Sequence, residues 1–186
     1  MDLYLMDAIL KGHLPDDGKV LDIGCGEGRN GIYFIKNAYE YHGIDQDESK
    51  IKLLEYLLRL YPSTNTHLSV GKLLETDFGE RSDVIIASRI LHFAGNESEF
   101  FSLWKKLITN LKKNGIVYIA MDSAMVEGVA EEQANGKFEF EDGRVSFALT
   151  PHLYEKMTSN LMEVEPLRTV VYQNRRAQSF AILRRP

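Results

Sequence analysis

The chain of 186 residues has a single cysteine, Cys25, which excludes an intramolecular disulfide and any zinc site built on several thiolates. No apolar run approaches the roughly 20 residues needed to span a bilayer, so no membrane association is expected. Residues 1–11 carry Asp2 and Asp7 and no basic leader, unlike a secretory signal. The expected location is therefore cytoplasmic. Basic residues are outnumbered, 22 against 27, and the net charge of −5 argues against the basic surface that bulk nucleic-acid binding requires. His13, His42, His67 and His152 have no metal-ligand spacing, so no metal is expected. Repeats and low-complexity stretches are also missing. With 44% hydrophobic and 26% charged residues, the composition is that of a globular protein and excludes disorder, collagen and coiled coil.

What is present is an alternation of short apolar runs and longer helical patterns. Leu3, Met6, Ile9 and Leu10 have amphipathic helical spacing within residues 1–14, and Pro15 to Gly18 read as a turn. Strands are predicted at 19–24, 41–45, 66–70, 83–88 and 116–121. Helices are predicted at 29–38, at 49–61 with a stop at Pro62, and at 97–113. In the last of these Asn96 is the cap, Glu99 follows three residues on, and Lys112, Lys113 and Gly115 close the end. Strands separated by helices imply parallel pairing with right-handed crossovers, hence a doubly wound α/β sheet. Two extended runs, 165–172 and 177–184, joined around 173–176, predict an antiparallel hairpin at the sheet edge. Residues 122–150, with a turn at Asp142-Gly143, form a small lid-like excursion before a helix over 151–161.

Strand one runs into Asp22-Ile23-Gly24-Cys25-Gly26-Glu27-Gly28-Arg29-Asn30. Alternate glycines after a parallel strand allow a sharp turn and let a ligand approach the main chain without Cβ clashes. In open α/β sheets ligands lie beyond the carboxyl ends of the strands. Asp45 ends strand two, where a carboxylate can accept from both ribose hydroxyls, so the two features together read as a nucleoside site. Residues 26–31 literally match G-x-G-x-x-G, the dinucleotide fingerprint. The register differs, however, because the turn begins at Gly24 and Gly31 falls inside the helix.

The string VLDIGCGEG, with Asp22 inside the strand, resembles motif I of the class I S-adenosylmethionine-dependent methyltransferases. YHGIDQDESKI is similar to the family's second motif, with Asp45 at the ribose-binding acid. SDVIIASRILHF resembles its fourth strand with the Leu91-His92 pair, and LKKNGIVYIAMD its entry to strand five, with Asn114 where glycine is common. The closing hairpin is similar to the reversed seventh strand, so the fold implied is Rossmann-like with seven strands. The resemblance spans about Gly18 to Leu183, and GCGEGRN is most similar to small-molecule members of the tellurite-resistance type.

The resemblance implies S-adenosylmethionine as cofactor, held by Asp22, Gly24, Cys25, Gly26, Gly28, Asp45, Gln46, Leu73, Leu74 and Ser88. Asp22 either bridges loop amides or meets the ligand's amino group. Gly71-Lys72 departs from the family's Gly-Asp, so Leu73 and Leu74 would sandwich the adenine and Glu75 or Asp77 would replace the acid. Cys25 reads as a small filler in a tight loop, and Arg29 as a partner for a nearby carboxylate or a solvated residue. His92, just past strand four, is the candidate catalytic base, against a role as a packed pocket-lining imidazole. Tyr4 either covers the pocket or packs in the core. Asp122 either orients an acceptor or is solvated.

Residues 122–142 hold seven acids against Lys137, either a solvated charged loop or a surface favouring a cationic acceptor. Arg168, Arg175, Arg176, Arg184 and Arg185 read as protection of an edge strand. With the motifs covering one domain over residues 1–186 and only a short excursion, the expected partner is a small-molecule acceptor. Two rival readings are a non-catalytic binding module for the same cofactor and an NAD-dependent oxidoreductase.

Overall fold

The computed structural model describes residues 1–61, 65–172 and 176–186. Helix α1 (Leu3–Leu10) precedes β1 (Lys19–Ile23), which is buried along its whole length, as a central strand covered on both faces must be. The alternation continues through α2 (Gly31–Lys36), β2 (Glu40–Asp45), α3 (Glu48–Leu58), β3 (Thr66–Val70), β4 (Ser82–Ser88), α4 (Glu97–Asn110) and β5 (Leu111–Asp122). Three short strands follow, β6 (Ala130–Glu132), β7 (Lys137–Phe140) and β8 (Val145–Phe147). Then come α5 (Pro151–Thr158), β9 (Met162–Val171) and β10 (Ala177–Arg184).

The main sheet has seven strands in the order β3-β2-β1-β4-β5-β10-β9. β3 through β5 pair in parallel, and β10 runs antiparallel to both β5 and β9. This is the expected mostly parallel, Rossmann-like sheet. Chain order reverses between β1 and β4, which opens a crevice at the carboxyl ends of these strands. One core lies under α4 and α5, where Phe100, Trp104, Leu107, Leu153 and Met157 meet Leu21, Ile85 and Val117. The Trp104 indole N–H donates to the Met157 carbonyl at 2.9 Å, tying the two helices together. The opposite core places Leu5, Ala8, Phe34 and Ile35 against Val20, Val84, Ile86 and Tyr118.

Several boundaries differ from the sequence reading. Helix α4 stops at Asn110, so Lys112, Lys113 and Gly115 do not close it. Leu111 turns extended and buries itself opposite Ser82 of β4, while Asn114 takes a φ of +62° and donates to the Arg185 carbonyl. Burial of one leucine and early strand pairing outweigh another helical turn. The helix after β1 begins at Gly31 and ends at Lys36, because the glycine turn takes up the residues before it. β9 begins at Met162 and tolerates Pro166, since it is an edge strand pairing only with β10. Asn96 caps α4 by accepting from the Glu99 N–H, and the Glu99 carboxylate reaches back to the Gly95 N–H at 2.7 Å. Helix α3 ends at Leu58, before the predicted 61, and α5 ends at Thr158, before the predicted 161, because the last residues of each give way to turns. Pro62, the hairpin turn at 173–175 and Arg175 lie outside the described residues.

The excursion is a three-stranded antiparallel sheet in the order β6-β7-β8. Its turn falls at Asp142-Gly143, with Gly143 at φ +76° donating to the Phe140 carbonyl. Phe138, Phe140 and Ala148 give it a small core of its own.

Candidate active site

The glycine loop is built by donors turned toward β2. Gly24 and Cys25 both donate to the Ile44 carbonyl, at 2.7 and 3.1 Å, and the Gly26 N–H donates to Asp45 Oδ2 at 2.8 Å. The other oxygen of Asp45 accepts from the Asp47 N–H at 2.9 Å, and its carbonyl accepts from Gly71 at 3.0 Å. Asp45 thus brings the loop, the start of α3 and the turn after β3 to one place. A carboxylate offers about four acceptor positions, so two remain for a ligand. Gly26 sits at φ +55°, and a Cβ there would meet nothing nearer than Lys50 Cδ at 3.9 Å. At Gly28, φ +79°, a Cβ would lie 2.4 Å from Leu54 Cδ1. One glycine is therefore required by packing, and the other leaves open backbone on the crevice side.

Below the loop lies Asp22, only 2% exposed. It bridges none of the loop amides among the described residues. Instead it accepts from the buried Tyr41 hydroxyl at 2.9 Å, a partner that sequence reasoning missed. Burial pushes its carboxyl up to about 7, opposed by the Tyr41 hydrogen bond. Cys25 is buried, its thiol pushed up by desolvation and the neighbouring Asp22, as a filler and not a nucleophile would be.

A stability test follows from Asp22. The folded chain keeps its proton up to about pH 7, whereas an ordinary aspartate loses it near 3.8. The native state therefore binds more protons in that window, and this group's contribution to stability falls as pH rises from about 4 to about 7. The full difference is of order 4 kcal/mol at one pKa unit per 1.36 kcal/mol. Asp22→Asn is expected to raise the Tm relative to wild type by clearly more at pH 8 than at pH 5. Equal shifts at the two pH values would show that Asp22 does not titrate in this range.

The chain's start also meets the site. Asp2 caps α1 and accepts from the Tyr118 hydroxyl at 2.6 Å and the Ser88 hydroxyl at 3.4 Å, while its N–H donates to Asn30 Oδ1 at 2.8 Å. Ser88, at the end of β4, is buried. Only the capping pattern Asp-x-Tyr hinted at Asp2. Tyr4 stacks on Phe180 with ring centroids 4.1 Å apart, which assigns it to packing. After β3, Leu73 is half-buried against the core, whereas Leu74 and Gln46 are exposed. Lys72 pairs with Glu75 at 3.4 Å, and Asp77 accepts from the Gly79 N–H, so both acids considered for the adenine already have partners.

Beyond β4 a cleft of about 430 Å³ is lined by Arg89, His92, Phe93, Ala94, Lys137, Arg144, Val145 and Ser146. His92 is 7% exposed on a short 3-10 turn and packs on Phe93, with its Nδ1 unpartnered among the described residues. Burial, followed by the Arg176, Arg89 and Arg144 cations, holds its pKa down at about 4 against the pull of Asp122. The ring is neutral at pH 7.

Asp122 is fully buried and neither solvated nor free to orient a ligand. It accepts from Arg176 Nε and Nη2 at 3.0 and 2.5 Å, from Ser146 at 2.8 Å and from Gln178 at 3.3 Å. The C-terminal arginines likewise do more than guard an edge. Arg176 turns inward to Asp122, Arg168 pairs with Asp7 and Glu165, and Arg185 holds the carbonyls of Ile108 and Leu111. Among the described residues no cluster of His, Cys, Asp or Glu is arranged to hold a metal ion, and no helix is long and apolar enough to cross a membrane.

A family model described as a methyltransferase domain matches residues 21–117, just over half the chain. YqeM of Bacillus subtilis, which carries a methyltransferase name, is 24% identical over 141 residues, 74% of this chain. The chain spans about half the length of that curated relative, 55%. Among solved structures, a SAM-dependent methyltransferase of Methanosarcina mazei superposes with a TM-score of 0.74 at 18% identity, covering 100% of this chain and 99% of the other. The 1,6-didemethyltoxoflavin-N1-methyltransferase of Burkholderia thailandensis, solved with 1,6-didemethyltoxoflavin and S-adenosylhomocysteine, gives 0.74 at 18% identity, covering 96% and 75%. At these identities the structural likeness speaks to the fold.

Proposed function

The chain belongs to the methyltransferase-domain family, and on that premise we propose that it moves a methyl group from S-adenosylmethionine to a small-molecule acceptor. The observation that carries this reading is the open backbone at Gly26 beside Asp45, at the point where strand order reverses. Bound there, S-adenosylmethionine supplies a sulfonium-activated methyl, whose bond to sulfur breaks as the acceptor's nucleophile attacks in line and the electron pair stays on sulfur.

The residues present fit such a ligand. Asp45 keeps acceptor capacity for ribose hydroxyls, with Gln46 beside it, while Gly24, Gly26 and Gly28 shape the loop and Cys25 fills its underside. Leu73 and Leu74 follow the turn hydrogen-bonded to Asp45 and offer apolar contact to a base. Ser88, with Asp2, and the more deeply buried Asp22 serve the amino-acid end. The contribution of these groups is positioning, which can remove about 7–11 kcal/mol from the barrier of a two-reactant step.

His92 belongs to the acceptor side. A base at about 4 has little tendency to take a proton at neutral pH, so it lines the pocket and the acceptor arrives ready to react. The sheet of β6 to β8 contributes the outer wall of that side.

Titration with S-adenosylhomocysteine and with NAD tests the donor. Saturable binding of the first and none of the second is expected, and the reverse would overturn the reading. Incubation with methyl-labelled S-adenosylmethionine and thiols, amines, carboxylic acids and metalloid oxyanions then tests transfer. Binding without transfer to any of these favours the non-catalytic alternative, which Lys72 in place of the family's acid already suggests.

A further inference from the structure

The cleft next to the glycine loop has a charge opposite to that of the whole chain. We infer that it is an anion site, and that the methyl acceptor is a small molecule bearing a carboxylate, phosphate or similar anionic group; this rests on the function proposed above. Arg89, Lys137 and Arg144 line the cleft, and no Asp or Glu does. Its volume of about 430 Å³ is within the usual range for small-molecule pockets.

The cations are not spent elsewhere. Neither Arg89 nor Lys137 makes an ion pair among the described residues, and Arg144 meets only Asp142, at a loose 3.6 Å on the exposed turn. The nearest buried carboxylate, Asp122, is engaged by Arg176, Ser146 and Gln178. Burial lowers the Arg89 pKa most, the Arg176 and Arg29 guanidiniums lower it further, and Asp122 opposes them. Lys137 thus faces the cleft, and the neighbouring acids Glu131, Glu132, Glu139 and Asp142 are exposed. Exposure of these acids fits the reading of the excursion as a solvated charged loop.

Arg89 is also held in place at a conformational cost. Its φ is +62°, in the left-handed region that side-chain-bearing residues rarely occupy, and its N–H donates to the Ala120 carbonyl at 2.7 Å. Strained backbone of this kind gathers at ligand clamps. The next residue, Ile90, packs so closely on the loop that a Cβ on Gly24 would lie 2.8 Å from its Cδ1. The cationic cleft and the donor loop are therefore neighbours. Phe93, Ala94 and Val145 supply apolar wall for the rest of the acceptor.

The test is calorimetric titration with benzoate, inorganic phosphate and the neutral control benzamide, with and without saturating S-adenosylhomocysteine. Saturable binding of at least one anion and none of benzamide is expected. Lys137→Gln and Arg144→Gln should each weaken the anion about tenfold, the usual loss for one charge-assisted contact. Both side chains are at the surface of the β7–β8 hairpin, and far-UV circular dichroism checks that the variants fold. S-adenosylhomocysteine affinity should not change in either variant. No saturable binding of either anion, or benzamide binding as well as benzoate, overturns the anion site. So does a loss of S-adenosylhomocysteine affinity in both variants with anion binding intact, which would give the cleft to the donor's own carboxylate. Failure of S-adenosylhomocysteine itself to bind wild type would count against the donor reading alone.

Discussion

Replacing Asp45 with alanine is expected to weaken S-adenosylhomocysteine binding ten- to a hundredfold in calorimetry. Two effects add. A carboxylate that accepts from ribose hydroxyls contributes about 1.5–3 kcal/mol per charge-assisted bond. Asp45 also holds the Gly26 and Asp47 N–H groups, at 2.8 and 2.9 Å, so its removal loosens the loop that the ligand must find in place. Asp45→Asn keeps an acceptor oxygen and should fall between wild type and Asp45→Ala. The stability of Asp45→Ala in urea should change by much less than the binding does, because the residue is partly exposed at the sheet's end. Unchanged affinity in Asp45→Ala would place the ribose elsewhere.

The largest expected loss of stability comes from Asp122→Ala, at about 3–5 kcal/mol. Removing one partner of a buried ion pair leaves the other's charge poorly compensated in a low-dielectric setting. Here the lost carboxylate served Arg176, Ser146 and Gln178 together and joined the end of β5 to β8 and β10. Urea unfolding measures the cost as a fall in midpoint with little change in slope. The double variant Asp122→Leu/Arg176→Met should recover much of it, since exchanging both charges for apolar groups of similar volume is often close to neutral. A loss below about 1 kcal/mol in Asp122→Ala would mean that water already reaches the pair.

The glycine loop and the carboxylate that holds it were largely legible in the sequence. Gly24 to Gly28, Asp45 and the strands that carry them are read from short contiguous strings, and the reversed C-terminal pair announced itself as two apolar runs. Tyr41 was not legible as the partner of Asp22, because its apolar pattern marks it only as a strand residue. Asp2 was missed because a helix cap is usually explained by its own helix. The end of α4 was misread because Lys112 and Lys113 look like a helix terminus, whereas Leu111 gains more from burial beside β4.

The sequence by itself determined the fold class and the glycine loop after β1, since both depend on local rules: the period of apolar residues, and glycine where φ must be positive. The charge of the cleft beyond β4 was decided only by tertiary structure. Arg89 follows the last residue of β4, Lys137 and Arg144 come from the excursion, and Asp122 is neutralised by Arg176, the residue before β10. A net charge of −5 is a sum that contains no positions. Folding turns most of the excursion's acids toward water and brings three cations around one cleft, because solvated carboxylates cost nothing at the surface.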